Sequence, residues 1–171
     1  MTVTTRTATL ADAPAVADLF GRVFTETFGR TYPAHDSAAF LSNCDATAFA
    51  AEIADSDHAL RLAEEGGEIV GFLKLGPPAL PIDLEGRRAV ELRQLYLDET
   101  ARGRGIAHAL MDWGLEEARA RGAQDIYLTV WIENARARRF YERYGFEEVG
   151  QYSFVVGDTV DDDRIMRLKL G

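Results

Sequence analysis

The chain has 171 residues, 28 acidic against 19 Lys and Arg side chains, a formal net charge of −9 and one cysteine. Such a length suits a single domain over 1–171, able to bury roughly two thirds of its unfolded surface without a covalent staple, and Cys44 alone excludes an intrachain disulfide. The acidic balance argues against nucleic acid as a partner, since phosphate neutralisation needs a basic face, and no apolar run is long enough for a membrane span, so a cytoplasmic protein is expected.

Val3 to Thr9 alternates β-branched and polar residues and predicts a strand. Asp12 then precedes Val16, Leu19, Phe20, Val23, Phe24 and Phe28 at helical spacing. Tyr32-Pro33 breaks that pattern, a short helical piece follows around Ala38 to Leu41, and Asp45 caps a helix carrying Phe49 and Ile53. His58 to Ala63 and Ile69 to Leu75 read as a hairpin turned at Glu65-Gly66-Gly67. The stretch Gly76 to Gly86 is a proline-containing loop too short for a linker. Ala89 to Leu97 is a strand, Arg104 to Arg121 an amphipathic helix, and Ile126 to Trp131 another strand. Asn134 caps a helix from Ala135 to Tyr144, stopped by Gly145. Phe146 to Val156 and Arg164 to Leu170 close the chain as strands around a turn at Gly157-Asp158. The order predicts an α+β layered fold: a mixed, mostly antiparallel sheet with helices packed on it.

Charge is spread unevenly. Arg102, Arg104, Arg136, Arg138, Arg139 and Arg143 fall in two segments, whereas Asp158, Asp161, Asp162 and Asp163 crowd the C-terminal region. One part could hold a polyanion and another attract a cation; solvated helix faces and a solvated turn account equally well for any one of these residues.

The segment Arg102-Gly103-Arg104-Gly105-Ile106-Ala107 stands between a strand and a helix. Two glycines there let consecutive N–H groups turn toward an anion at a helix start, where the dipole also favours negative charge. A dinucleotide fingerprint is disfavoured because its third glycine position holds His108, and no Lys-Ser or Lys-Thr follows Gly105 to make a Walker loop. His35, His58 and His108 show no ligand spacing with one another or with Cys44, so no metal is expected.

Arg102-x-x-Gly105-x-Ala107 resembles the R/Q-x-x-G-x-G/A signature of the GCN5-related N-acetyltransferases (GNAT). Asn134, Phe140-Tyr141 and Gly145-Phe146 resemble the downstream pattern of that family, in the same order. Phe24-Thr25-Glu26-Thr27-Phe28, Val130 to Asn134 and the tail around Tyr152-Ser153-Phe154 and Asp163-Arg164-Ile165-Met166 are similar to its PaiA-type spermidine/spermine acetyltransferases. The resemblance implies a sheet of six to seven strands, splayed in the middle, with helices on both faces. It implies acetyl-CoA as co-substrate and direct transfer to a primary amine, with a polyamine the leading acceptor. A protein or peptide N-acetyltransferase, an amine-antibiotic acetyltransferase and a non-enzymatic acyl-CoA sensor are the alternatives. Family members often form homodimers; the residues alone do not give the oligomeric state.

Under this resemblance, the N–H groups of Gly103, Arg104, Gly105, Ile106 and Ala107 cradle the pyrophosphate, with charge added by Arg102 and Arg104. The main chain of Leu95, Tyr96 and Leu97 pairs with the pantetheine arm, Asn134 bonds that arm, and Arg143 reaches a cofactor phosphate. A primary amine with a pKa near ~10.4 is overwhelmingly protonated at pH 7, so a base is needed. Glu91 is the first candidate, on the face of Leu95 and Leu97 if the strand is regular, although a bulge would move it and a strand carboxylate that only holds substrate or a neighbouring arginine reads equally well. Glu26, Asp36 and Glu133 are weaker rivals. Tyr141 is the candidate acid for the leaving thiolate.

Overall fold

The computed structural model describes residues 2–171, and those residues form seven strands and five α-helices, with two short 3-10 turns. Strand β1 (Val3–Thr7) leads into α1 (Ala13–Phe28), followed by α2 (Ala34–Ser42) and α3 (Ala46–Ala54). Next come β2 (Ala59–Glu65), β3 (Glu68–Gly76), β4 (Ala89–Leu97), α4 (Ile106–Ala120) and β5 (Asp125–Trp131). The chain ends with α5 (Ala135–Arg143), β6 (Glu147–Val156) and β7 (Thr159–Lys169). All seven strands join one sheet in the order β1-β2-β3-β4-β5-β7-β6, antiparallel throughout except for the β4–β5 pair.

Local chemistry sets the ends of these elements. Pro14 occupies the first turn of α1, where its missing N–H is not needed. Asp45 accepts from Ala48 N at 2.9 Å and so caps α3. The apolar stripe of α1, Val16, Leu19, Phe20, Val23 and Phe24, is fully buried with Leu62 and Phe72 on one face of the sheet. Leu110 and Met111 of α4 pack on the other face with Leu73, Leu75 and Leu128. Helices therefore cover both faces, as the α+β reading expects.

Two departures from the sequence reading matter for function. Strand β7 begins at Thr159 rather than Arg164, so Asp161, Asp162 and Asp163 lie in the ladder and not in a solvated turn. Strand β4 carries a bulge: Lys74 pairs with Gln94, but Leu75 pairs with Leu92, leaving Arg93 as the extra residue. The bulge reverses the alternation, so Leu92 shares the α4 face with Leu95 and Leu97, and Glu91 turns to the opposite face.

Candidate active site

Strands β4 and β5 pair only through Ala89–Asp125, Val90–Ile126 and Glu91–Tyr127. From Leu92 onward β4 has no ladder partner on its β5 side among the described residues, and the sheet opens. A cavity of about 700 Å³ fills this opening. Leu95, Tyr96 and Leu97 line it, so the backbone expected to meet the cofactor arm faces open space.

Gly105 caps the start of α4 with φ 81°, and Gly103 has φ 72°. Both conformations are left-handed and suited to glycine. A Cβ on either residue would meet no atom within 4 Å, so open space stands over both. That space and the free N–H groups of a helix's first turn are what an anion needs. Gly103, Gly105 and Ala107 line the cavity, as does Arg102, whose guanidinium also donates to Leu97 O at 3.5 Å. Ile106 takes the first helical position with its side chain buried in the core, so only its main chain is available.

Arg104 departs from expectation. Its two terminal nitrogens fork onto Glu65, both at 2.9 Å, and it does not line the main cavity. The pair ties the loop before α4 to β2 and occupies the charge that the sequence reading assigns to a phosphate.

Helix α5 supplies the opposite wall. Asn134 accepts from Ala137 N at 3.2 Å, capping the helix, and lines the cavity with Arg143. Tyr141, 9% exposed, packs edge-on against Phe140 and Phe146, and its hydroxyl makes no hydrogen bond among the described residues. Burial alone pushes its phenol up, so it stays protonated. Sequence reasoning missed Arg136 and His108, which also line this side. In the sequence Arg136 reads only as part of a charged segment, with no local signal that separates it from its neighbours.

Glu91 is not in the cavity. Its carboxylate accepts from Ala79 N at 3.0 Å and lies 3.5 Å from Arg93 Nε, anchoring the loop after β3. The β4 bulge is the physical reason, and the general-base assignment to Glu91 is corrected accordingly. The three rivals are also absent from the lining. Glu26 and Glu133 are exposed, and Asp36 is buried with Thr159 Oγ1 donating to it at 2.7 Å. Ligand atoms of His35, Asp36 and Asp158 approach within 4.8 Å of one another, a convergence invisible in their spacing along the chain.

The carboxylate that does line the cavity is Asp163 on β7, 7% exposed. It makes no side-chain hydrogen bond or ion pair among the described residues. Burial, then repulsion from Asp161 and Asp162, pushes it up to about 6. Around this part of the cavity the walls are aromatic: Phe24 stacks on Phe40 at 4.9 Å and Phe40 meets Phe154 edge-on at 5.5 Å. Asp163 escaped the sequence reading because a run of three aspartates disfavours a strand; its parity with Ile165 was the available signal.

The Acetyltransferase (GNAT) family model matches residues 15–146. An uncharacterized N-acetyltransferase of Mycobacterium bovis is 33% identical over 165 residues, 96% of this chain and 91% of its own length. Two solved structures share the fold. PaiA N-acetyltransferase from Thermoplasma acidophilum, in complex with coenzyme A, aligns with a TM-score of 0.79 at 19% identity over 99% of both chains. A chain from Salmonella typhimurium, solved with its cofactor acetyl-CoA, aligns with a TM-score of 0.71 at 22% identity, over 100% of this chain and 95% of its own.

Proposed function

The chain belongs to the GNAT family of N-acetyltransferases, and on that premise we propose that it moves the acetyl group of acetyl-CoA directly to the primary amine of a small cationic acceptor, with a polyamine such as spermidine or spermine first among them. One observation carries the reading: a single cavity at the β4–β5 opening is lined by the glycine turn before α4, by Tyr141, and by a free carboxylate on the far side. A polyanionic donor and a cationic acceptor then meet from two directions.

The residues fit coenzyme A on the donor side. Gly103, Gly105 and the first turn of α4 offer N–H groups under open space, and Arg102, Arg136 and Arg143 bring positive charge to that wall. Asn134 spends its side-chain oxygen on the helix cap, which leaves its amide nitrogen to donate to the cofactor arm. Bound there, acetyl-CoA supplies an activated acetyl group as a thioester. Tyr141 keeps its proton by burial and gives it to the departing sulfur, and unpaired β4 N–H groups polarise the carbonyl.

Polyamine preference draws on the net charge of −9 and on the resemblance of Phe24 to Phe28, Val130 to Asn134 and the tail around Asp163-Arg164-Ile165-Met166 to the PaiA-type acetyltransferases. Incubating the protein with acetyl-CoA and a panel of polyamines, amino acids, peptides and aminoglycosides, and reading acetylated products by mass, tests it. A 42 Da gain (about one acetyl for one hydrogen, the product of thioester attack) on spermidine or spermine is expected. Products on peptides alone would overturn the polyamine acceptor; tight acetyl-CoA binding with no product would leave an acyl-CoA sensor.

A further inference from the structure

Strand β7 presents Asp161, Asp163 and Ile165 on one face by simple alternation. Asp161 is occupied, accepting from the Tyr32 hydroxyl. Asp163 is not, although it is the more buried of the two. Directly across the ladder stand Trp131 on β5 and Tyr152 on β6, neither of which carries a charge to neutralise it. The groups that feel its charge from other elements are the phenols of Tyr32 and of Tyr96 on β4; on its own strand Asp161 and Asp162 repel it. An unpaired carboxylate buried among aromatic rings is unfavourable for the fold unless its counter-ion arrives with a ligand.

We propose that Asp163 is the residue that receives the acceptor's ammonium group and takes its proton, a role that rests on the acetyl-transfer reading above. Three placements support it. Asp163 lines the same cavity as Tyr141 and the open edge of β4. Tyr96, which lines the same cavity, feels the charge of both Asp163 and Tyr141. The aromatic wall of Phe24, Phe40 and Phe154 suits the methylene chain or ring of an amine while leaving its cationic head to a single carboxylate.

Asp163 accepts a proton from R–NH3+, and the freed nitrogen lone pair attacks the thioester carbonyl carbon, forming C–N. The C–S bond breaks with its electron pair on sulfur, which takes the Tyr141 proton, and the tetrahedral nitrogen loses its second proton to solvent. A carboxylate raised to about 6 is still ionised at pH 7, yet is a better proton acceptor than an exposed aspartate.

The test measures kcat/KM from pH 6 to 9.5 for wild type, Asp163→Asn and Asp163→Glu, with spermidine and 2-phenylethylamine as probes. Binding of each amine and of acetyl-CoA is measured separately by calorimetry. Asp163→Asn is expected to lose about 100-fold or more in kcat/KM at pH 7, within the usual range for a general base, and to recover toward pH 9.5 as neutral amine accumulates. Its amine affinity falls at least about tenfold while acetyl-CoA binding stays within about twofold, and Asp163→Glu restores part of the loss. An active wild type whose Asp163→Asn variant keeps both the pH profile and the amine affinity overturns the assignment alone. A wild type that neither binds nor acetylates any amine overturns the acceptor reading and this proposal with it.

Discussion

The Tyr32 hydroxyl donates to the Asp161 carboxylate, joining the turn between α1 and α2, which lines the cavity through Tyr32, to strand β7. One of two neighbouring carboxylates is thereby committed to the fold, and the other faces the cavity. Tyr32 is 5% exposed and stacks on Phe24 at 5.9 Å, so its removal leaves a charged acceptor short of its donor. Tyr32→Phe keeps the ring and deletes only that bond. A loss of about 1.5–3 kcal/mol in urea denaturation at pH 7 is expected for a hydrogen bond to a charged group. An unchanged midpoint would mean the bond adds nothing.

Gly105 separates stability from cofactor binding. At φ 81° a valine is strained, at a cost of about 1–3 kcal/mol, but its Cβ points into open space with no other residue's heavy atom within 4 Å. That same space is where the proposed cofactor site holds the pyrophosphate. Gly105→Val is therefore expected to remain folded, by circular dichroism, while its acetyl-CoA dissociation constant rises more than about tenfold, or ~1.4 kcal/mol. Wild-type affinity in a folded variant would move the phosphate site elsewhere.

Asp125 explains part of the acid sensitivity to be expected. It is fully buried at the start of β5, with Arg87 Nε at 2.7 Å and Arg167 at 3.2 Å. Burial raises its carboxyl, but the two guanidiniums outweigh this and hold it below the usual range. Its folded value thus lies under the unfolded one of ~3.9, so its stabilisation is present above that pH and lost as pH falls through the folded value. Asp125→Asn is expected to cost about 3 kcal/mol at pH 7. The gap from wild type in urea midpoint then narrows below pH ~4; a gap independent of pH would contradict the ion-triad account.

The sequence carried the architecture well because each helix announces itself. Asp45 caps α3, Asn134 caps α5, and the α1 stripe from Val16 to Phe24 is a clear helical face. The glycine turn and the cap of α5 were legible for a related reason: Gly103, Gly105 and Asn134 act on backbone conformation and capping, which leave local marks. The acceptor side was not. Glu91 was misplaced by one extra residue, Arg93, in a bulge that depends on how β3 and β4 pair. The Arg104 side chain's pairing with Glu65 was not legible because that partner lies 39 positions away. Asp163 read as part of a solvated acidic run, and only the hairpin that extends β7 back to Thr159 buries it.

The most direct test of amine acetylation at this cavity is acceptor-dependent thiol release from acetyl-CoA by wild type and Tyr141→Phe, measured with spermidine at saturating cofactor. Steady release by wild type is expected, with a kcat lower by about 100-fold or more in Tyr141→Phe, the usual worth of a general acid, and acetyl-CoA affinity unchanged. Equal turnover by the two proteins would contradict this.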